Sequence, residues 1–314
     1  MLKHIKIAAL LLCFSLPLMF WGIVKNVRFA QTLSRGNYFF ENTRVNTDVH
    51  SFILSFPNGN VITLEQKNNL WRIKEADDYY ADFNKINTFI GLIRNTTIYR
   101  ADEIEDSSLL NYKQNALSIQ ALDSSDKIID DAHIVPKKDV NKFHYATLND
   151  KNILYQLNNS FDLSPHVMDW VKMPLLAISY DQIKSIQGSK FTVSRRFASE
   201  NLKNIEDGFV VPQIQNLISQ LWYLGAEDIK HALHFNRSQY QLVQTFNITT
   251  FDGIIYIIDV LLHDNEYWLH ISLDREMLIS PEVLYKIKEN SMLYDGWFFK
   301  INSQVGEVIA NFTI

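Results

Sequence analysis

Cysteine is almost absent from this chain: the one residue, Cys13, lies within an apolar stretch near the N-terminus. The rest of the chain therefore has no disulfide, no thiolate nucleophile and no Cys-ligated metal site. Glycine and proline are scarce too, at 10 and 7 residues in 314, which excludes fibrous and low-complexity chains. Nor is there a basic excess. With 30 Lys and Arg against 35 Asp and Glu, a net charge of -5 offers no electrostatic footprint for a nucleic-acid backbone, so nucleic acid is not expected as a partner. The nucleophile elbow, the phosphate-binding loop and the dinucleotide fingerprint are all missing, and with them the usual signatures of hydrolases and nucleotide enzymes.

What the chain does have is bulky apolar material. Twenty Phe, 14 Tyr and 6 Trp within a 47% hydrophobic composition can fill a large core, and the length suits about two domains. A body of this size needs no covalent staples, so the lack of disulfides fits any compartment.

Residues Ile7 to Val24 read IAALLLCFSLPLMFWGIV, uncharged throughout, with Lys3 and Lys6 before them and Lys25 and Arg28 after. At about 18 residues the run meets the length needed to cross the hydrocarbon core. Its Leu, Ile, Phe and Val each favour insertion by roughly 0.3 to 0.6 kcal/mol near a helix centre, which outweighs Ser15, Pro17 and Gly22. Cleavage is disfavoured, because the nearest small-residue site, Ala30, follows Arg28 and Phe29. Lipidation is disfavoured as well, because Cys13 follows three leucines. The sequence thus predicts a single-pass transmembrane signal anchor (helix about 7–24) within a region 1–47 that ends in a polar connector from Gln31 to about Asp48. Flanking charge is nearly balanced, with Lys25, Arg28 and Arg35 after the run, yet long domains translocate largely regardless of charge. The expected location is the inner membrane, with the body periplasmic or otherwise extracytoplasmic.

The body reads as α+β, and its pattern occurs twice. In the first copy, Phe52, Leu54 and Phe56 alternate into Pro57-Asn58-Gly59-Asn60 and out through Val61 to Leu64, a β-hairpin with an Asn-Gly turn. In the second, Ile178, Tyr180, Ile183 and Ile186 lead through Gln187-Gly188-Ser189 to Phe191, Thr192 and Val193, placing Gly188 where the first copy has Gly59. Helical stripes follow at identical spacing: Phe83, Ile86, Phe89, Ile90 and Ile93, then Val211, Ile214, Leu217, Ile218 and Leu221. Asp82 is placed to cap the first helix, and Pro212 suits the first turn of the second. Ala101-Asp102-Glu103-Ile104 and Ala226-Glu227-Asp228-Ile229 come next, then Leu117, Ile119 and Ala121 before Ile128-Ile129 in one copy, and Phe246, Ile248 and Thr250 before Ile254 to Ile258 in the other.

The expected architecture is two similar lobes, each a β-hairpin, a helix and further antiparallel strands. The first lobe spans 48–160, a joint containing Trp170 spans 161–175 and the second lobe spans 176–274. A closing segment, 275–314, holds a helix from Pro281 to about Glu289 and a strand around Trp297 to Ile301.

Candidate chemistry is sparse. His231 and His234, near Glu227 and Asp228, stand three apart, a spacing that on a helix places two imidazoles on one face for a metal; with no third ligand in view, the reading is a solvated helix end. His263-Asp264-Asn265-Glu266 reads as a hairpin turn. Acidic clusters at Asp77-Asp78, Asp102 to Asp106 and Asp130-Asp131 lack the alternating oxygen ligands of a calcium loop and read as solvated surface. Trp71, Tyr79, Tyr80, Trp222, Tyr223, Trp268 and Trp297 are candidates for stacking on a glycan or peptide, most of them expected in the core. No catalytic residue, metal ligand or cofactor is assigned.

Several local features resemble the bacterial envelope family called domain of unknown function 4340. They are the glycine-turn hairpin, Trp71-Arg72-Ile73 followed by Tyr80-Ala81-Asp82 and a helix, Tyr145-Ala146-Thr147, and Asp169-Trp170 running to Leu175-Leu176. The resemblance covers roughly residues 50 to 305 and implies an anchored envelope protein without established chemistry, in a family often associated with gliding-motility-type ABC transport systems. The second lobe departs from the pattern, with no Trp at the place of Trp71 and no Tyr-Ala-Asp before its helix. The expectation is a non-enzymatic accessory or scaffold with an ABC transporter or another envelope protein as partner. The alternative is an envelope glycan- or peptide-binding module or, further off, a hydrolase.

Overall fold

The computed structural model describes residues 37–46, 48–105, 113–135, 144–149, 151–176, 178–277 and 279–313; the apolar run at 7–24, like Asp106 of the acidic cluster, lies outside them. Among the described residues no helix is long and apolar enough to cross a membrane. The architecture is mostly antiparallel sheet with a few helices. The described residues divide into two compact units: those from 37 to 63 with those from 86 to 165, and those from 64 to 85 with those from 166 to 313.

The first unit opens with a short helix, α1 (Glu41–Val45), and a hairpin of β1 (Val49–Ser55) and the start of β2 (Val61–Lys67). Its turn needs glycine, since Gly59 sits at φ +88°, a conformation that costs other residues strain. The chain then leaves for the second unit through β3 (Leu70–Ile73) and β4 (Tyr79–Tyr80), and returns in helix α2 (Phe83–Asn95). Asp82 caps α2, its Oδ1 accepting from the N–H groups of Asn84 and Lys85 at 2.8 and 3.1 Å. Strands β5 (Ile98–Glu103), β6 (Leu117–Asp123), β7 (Ile128–Val135), β8 (His144–Leu148) and β9 (Ile153–Leu157) complete the unit. Neighbouring strands run in the order β2-β1-β6-β7-β8-β9-β5. The core holds Phe52, Leu54, Ile119 and Ile134 from the sheet, and Ile86, Phe89 and Ile93 from α2, with the Phe52 and Phe89 rings edge to face at 5.0 Å.

Two members of the expected α2 stripe are not core. Phe83 is 75% exposed, and Ile90 is only half-buried. Phe83 stands at the first helical position and Ile90 beside the stripe of Ile86, Phe89 and Ile93, which alone carries the packing. Residues 37–46, read from the sequence as part of the polar connector, also belong to the packed unit, with Phe39 and Phe40 each 1% exposed.

In the second unit, Leu64 to Lys67 of β2 pair with β3, and β3 with β4. Beyond the joint come β10 (Ile183–Gln187), β11 (Thr192–Ser194), β12 (Lys203–Asn204), helix α3 (Gln213–Trp222), β13 (Asp228–His231), β14 (Gln241–Thr250), β15 (Ile254–His263) and β16 (Glu266–Arg275). Helix α4 (Pro281–Tyr294), strand β17 (Trp297–Ile301) and helix α5 (Ser303–Ala310) follow. These strands form an eight-stranded sheet ordered β12-β11-β10-β14-β15-β16-β17-β13. Its connectivity repeats that of the first unit: hairpin, helix, a strand sent to the far edge, then a four-strand meander whose last member pairs with that edge strand. Strand β17 therefore completes the second sheet, beyond the boundary at 274 drawn from sequence, and α4 extends past Glu289 to Tyr294. The turn at Asp264-Asn265 joins β15 to β16 as expected, both residues at positive φ and His263 opposite Glu266.

Helix α5 had no counterpart in the sequence reading. It starts from Asn302, whose side chain accepts from the Gln304 N–H at 3.0 Å, and Gly306 lets it approach Tyr267 closely. A Cβ on Gly306 would fall 2.3 to 2.6 Å from the Tyr267 ring and its Cβ. Gly306→Ala is therefore expected to destabilise the protein by about 1 to 3 kcal/mol, read as a lower urea midpoint, although alanine is the better helix former.

Candidate functional site

The two histidines singled out from sequence are not on a helix. His231 ends β13, and His234 sits in the turn that follows, where four residues of edge strand replace the expected helical spacing. Their partner is Asp77, which lies far away in sequence just after a 3-10 turn over Lys74–Ala76, at φ +58°. One Asp77 oxygen, Oδ2, accepts from the His231 N–H at 2.6 Å, and the carboxylate meets His234 Nδ1 at 2.7 and 2.9 Å. The carboxylate thus caps a donor on the open edge of the second sheet. The His231 ring stands edge to face on Trp297 at 4.8 Å. Trp297 in turn meets Tyr79 at 5.0 Å, and the Tyr79 hydroxyl donates to the Leu293 carbonyl at 2.8 Å. Burial pushes the Tyr79 phenol well above its ordinary range, so it remains a donor at every physiological pH.

An Asp–His contact is the orienting half of a general base. Among the described residues no hydroxyl is hydrogen-bonded to the His234 ring. Among the same residues no group of three or more His, Asp and Glu side chains is placed to hold a metal. The constellation ties β13 to the turn after β3.

The acidic clusters separate into different roles. Asp78 pairs with Lys67 at 3.1 Å, and Asp102 pairs with Arg100 at 3.0 Å on an exposed strand. Asp130 overturns the surface reading: it is 0% exposed. Its Oδ1 accepts from Asn42 Nδ2 at 2.9 Å and Asn149 Nδ2 at 3.1 Å, and its Oδ2 from the N–H and hydroxyl of Thr43 at 2.8 and 2.7 Å. This is a carboxylate with every lone-pair direction used, clamping α1 to β7. A pocket of about 290 Å³ opens beside the clamp, and Ile98, Leu148, Lys151 and Tyr155 are among the residues that line it. Asp131, next in sequence, is held below the ordinary carboxylate range by its contact with His133.

Of the aromatic candidates, Tyr79, Trp268 and Trp297 are buried, whereas Tyr223 is 82% exposed. Trp268 belongs to a cluster with Phe235, Leu261 and Phe298, in which the Phe235 and Phe298 rings stack at 3.9 Å. His270 lies 5.1 Å from the Phe298 ring, and burial lowers its pKa below the ordinary imidazole value of 6.5. Because the folded protein disfavours the charged ring, stability is complete above about 6.5 and is lost as pH falls through the lowered folded-state value. Thermal midpoints are therefore expected to drop on acidification below pH 6.5, with His270→Gln flattening that part of the profile.

Within the second unit, three of the motifs that carry the family resemblance lie together. The Ala81 N–H donates to the Trp71 carbonyl at 3.0 Å, and the Asp82 N–H to the Trp170 carbonyl at 2.7 Å. Ala81 bridges to Val171, and Lys85 Nζ donates to the Asp169 carbonyl. Trp71, Tyr80-Ala81-Asp82 and Asp169-Trp170 are thus one hydrogen-bonded group in the second unit. Comparison of the chain with family models, with curated proteins and with solved structures finds no match in any of the three. The likeness to domain of unknown function 4340 therefore rests on these motifs alone.

Proposed function

We propose that this is a single-pass inner-membrane protein whose extracytoplasmic body acts without catalysis, as an accessory or scaffold of a transport-associated envelope complex. The observation that carries the reading is the uncharged run from Ile7 to Val24, long enough to span and closely followed by the body. The Asp130 clamp supports it, because it fixes Asn42 and Thr43 to the first unit and would keep an inserted segment and the body on a short tether. The motifs gathered at the joint support an ABC transporter as the partner, through the family they resemble.

The protein is expected to sediment with membranes and to resist extraction by salt and carbonate; recovery of the full-length chain in the soluble fraction would end the anchor reading. Alkaline phosphatase fused after Ile314 should be active, and an inactive fusion alongside an active cytoplasmic reporter would reverse the topology. Co-purification of a permease or ATPase with the detergent-extracted protein would identify the partner. Capture of wall-processing enzymes in its place would displace the transport role.

A further inference from the structure

A second concave site, unrelated to the histidines, lies in the second unit where the loop after β11 meets the turn between β14 and β15. It is a notch of about 420 Å³ lined by Asp181, Gln182, Arg196, Phe197, Phe251 and Asp252. Its two aromatic walls are open to solvent, Phe197 57% exposed and Phe251 40%.

The loop bearing Phe197 is fixed from both sides. Arg195, 6% exposed, spends its guanidinium on carbonyls: Nε donates to Ile183 at 2.8 Å, Nη1 to Ala198 at 2.8 Å and Glu200 at 3.0 Å, and Nη2 to Tyr180. The Glu200 carboxylate then accepts from the N–H groups of Arg196 and Phe197 at 3.0 and 3.2 Å. Opposite, the Phe251 N–H donates to the Gln182 carbonyl at 2.9 Å, and its ring lies 5.6 Å from the Arg195 guanidinium. The backbone that carries both rings is held in place before anything binds, which lowers the ordering cost of an aromatic contact.

The charges around the notch decide what fits. Lys286 lies 3.8 Å from Asp252, and Arg196, whose guanidinium lies 5.5 Å over the Phe197 ring, lines the notch with Asp181. Two carboxylates and two cations leave the site with no net charge to select an organic cation or an anion. A neutral ligand with an apolar face and hydroxyl edges uses everything present: C–H faces against the ring π-systems, and hydroxyls to the carboxylates, amide and guanidinium at the rim. We infer that this notch binds a neutral saccharide, with Phe197 and Phe251 as its stacking walls. The volume lies within the range of small-ligand sites. The inference is independent of the membrane anchor and of the transport role.

The test is saturation-transfer NMR on the purified full-length protein, in a detergent without a sugar headgroup, with chitobiose and maltotriose as probes and an arginine-rich peptide as the competing chemistry. Transfer to the ring protons of either saccharide is expected in the wild type and should be lost in both Phe197→Ala and Phe251→Ala. Phe197 is exposed enough that its variant should keep the wild-type melting midpoint, so it decides the matter should Phe251→Ala lose stability. No transfer to either saccharide, transfer undiminished in Phe197→Ala, or loss of peptide binding rather than sugar binding in the variants would each overturn the assignment.

Discussion

Asp130→Ala is expected to lower stability by about 2 to 4 kcal/mol and to release the segment before β1. Removing the carboxylate strands the buried Thr43 N–H and hydroxyl and takes an acceptor from the Asn42 and Asn149 amides. Each unsatisfied buried donor costs roughly 1 to 3 kcal/mol, and the sum is held down because Asn42 can turn outward. That is a large part of the roughly 5 to 15 kcal/mol typical of a folded domain. Asp130→Asn should fall between: its oxygen can keep the two amides, but its NH₂ then faces the Thr43 N–H, which cannot reorient. Urea unfolding supplies the energies. Trypsin cleavage after Arg44 supplies the local readout, and should accelerate in the order wild type, Asn, Ala. Equal cleavage rates would show that Phe39 and Phe40, rather than the clamp, hold α1 down.

The second large effect separates two residues that the sequence makes equivalent. Ile218 of α3 is 5% exposed among Ile214, Leu217 and Leu221, all buried, and Ile218→Ala should leave a cavity costing about 2 to 5 kcal/mol. Ile90 of α2 has the same place in its stripe but is half-buried, so Ile90→Ala should cost less, roughly 1 kcal/mol, because part of its side chain already faces water. Thermal melts of the two variants give the comparison directly. Equal losses would mean that the two helices seat alike and that the difference in burial is immaterial.

The repeat was legible because its signals are local. Alternation around Asn58-Gly59 fixes a hairpin, apolar spacing from Ile86 to Ile93 fixes a helix face, and Asp264-Asn265 supplies the two positive-φ positions of a tight turn. What escaped depends on partners distant in sequence. Asp130 looks like surface until Asn42 and Thr43 are folded over it, and nothing near His231 announces Asp77. The pair of histidines misled because a three-residue spacing is read as helical by default, whereas Asp228 to His231 is a short edge strand held by Phe298 and its neighbours on β17. The rings of Phe197 and Phe251 form a notch only once the turn after β14 meets the loop after β11. Their fixed position comes from Arg195, an isolated cation with no pattern of its own.

The route of the chain also dictates an order of assembly. In both sheets the strand that follows the helix pairs only with the last strand of the meander: β5 with β9, and β13 with β17, Asp228 opposite Lys300. On a ribosome β13 emerges long before its partner, and Leu64 to Lys85 emerge earlier still, although they belong to the second unit. Neither unit can therefore be finished in the order in which it is synthesised. A nascent chain stopped before Trp297 presents β13 as a bare edge, and a fragment beginning at His166 lacks the Asp77 carboxylate that caps it. The exposed strand edge that such fragments share is the surface a chaperone would be expected to meet first during synthesis.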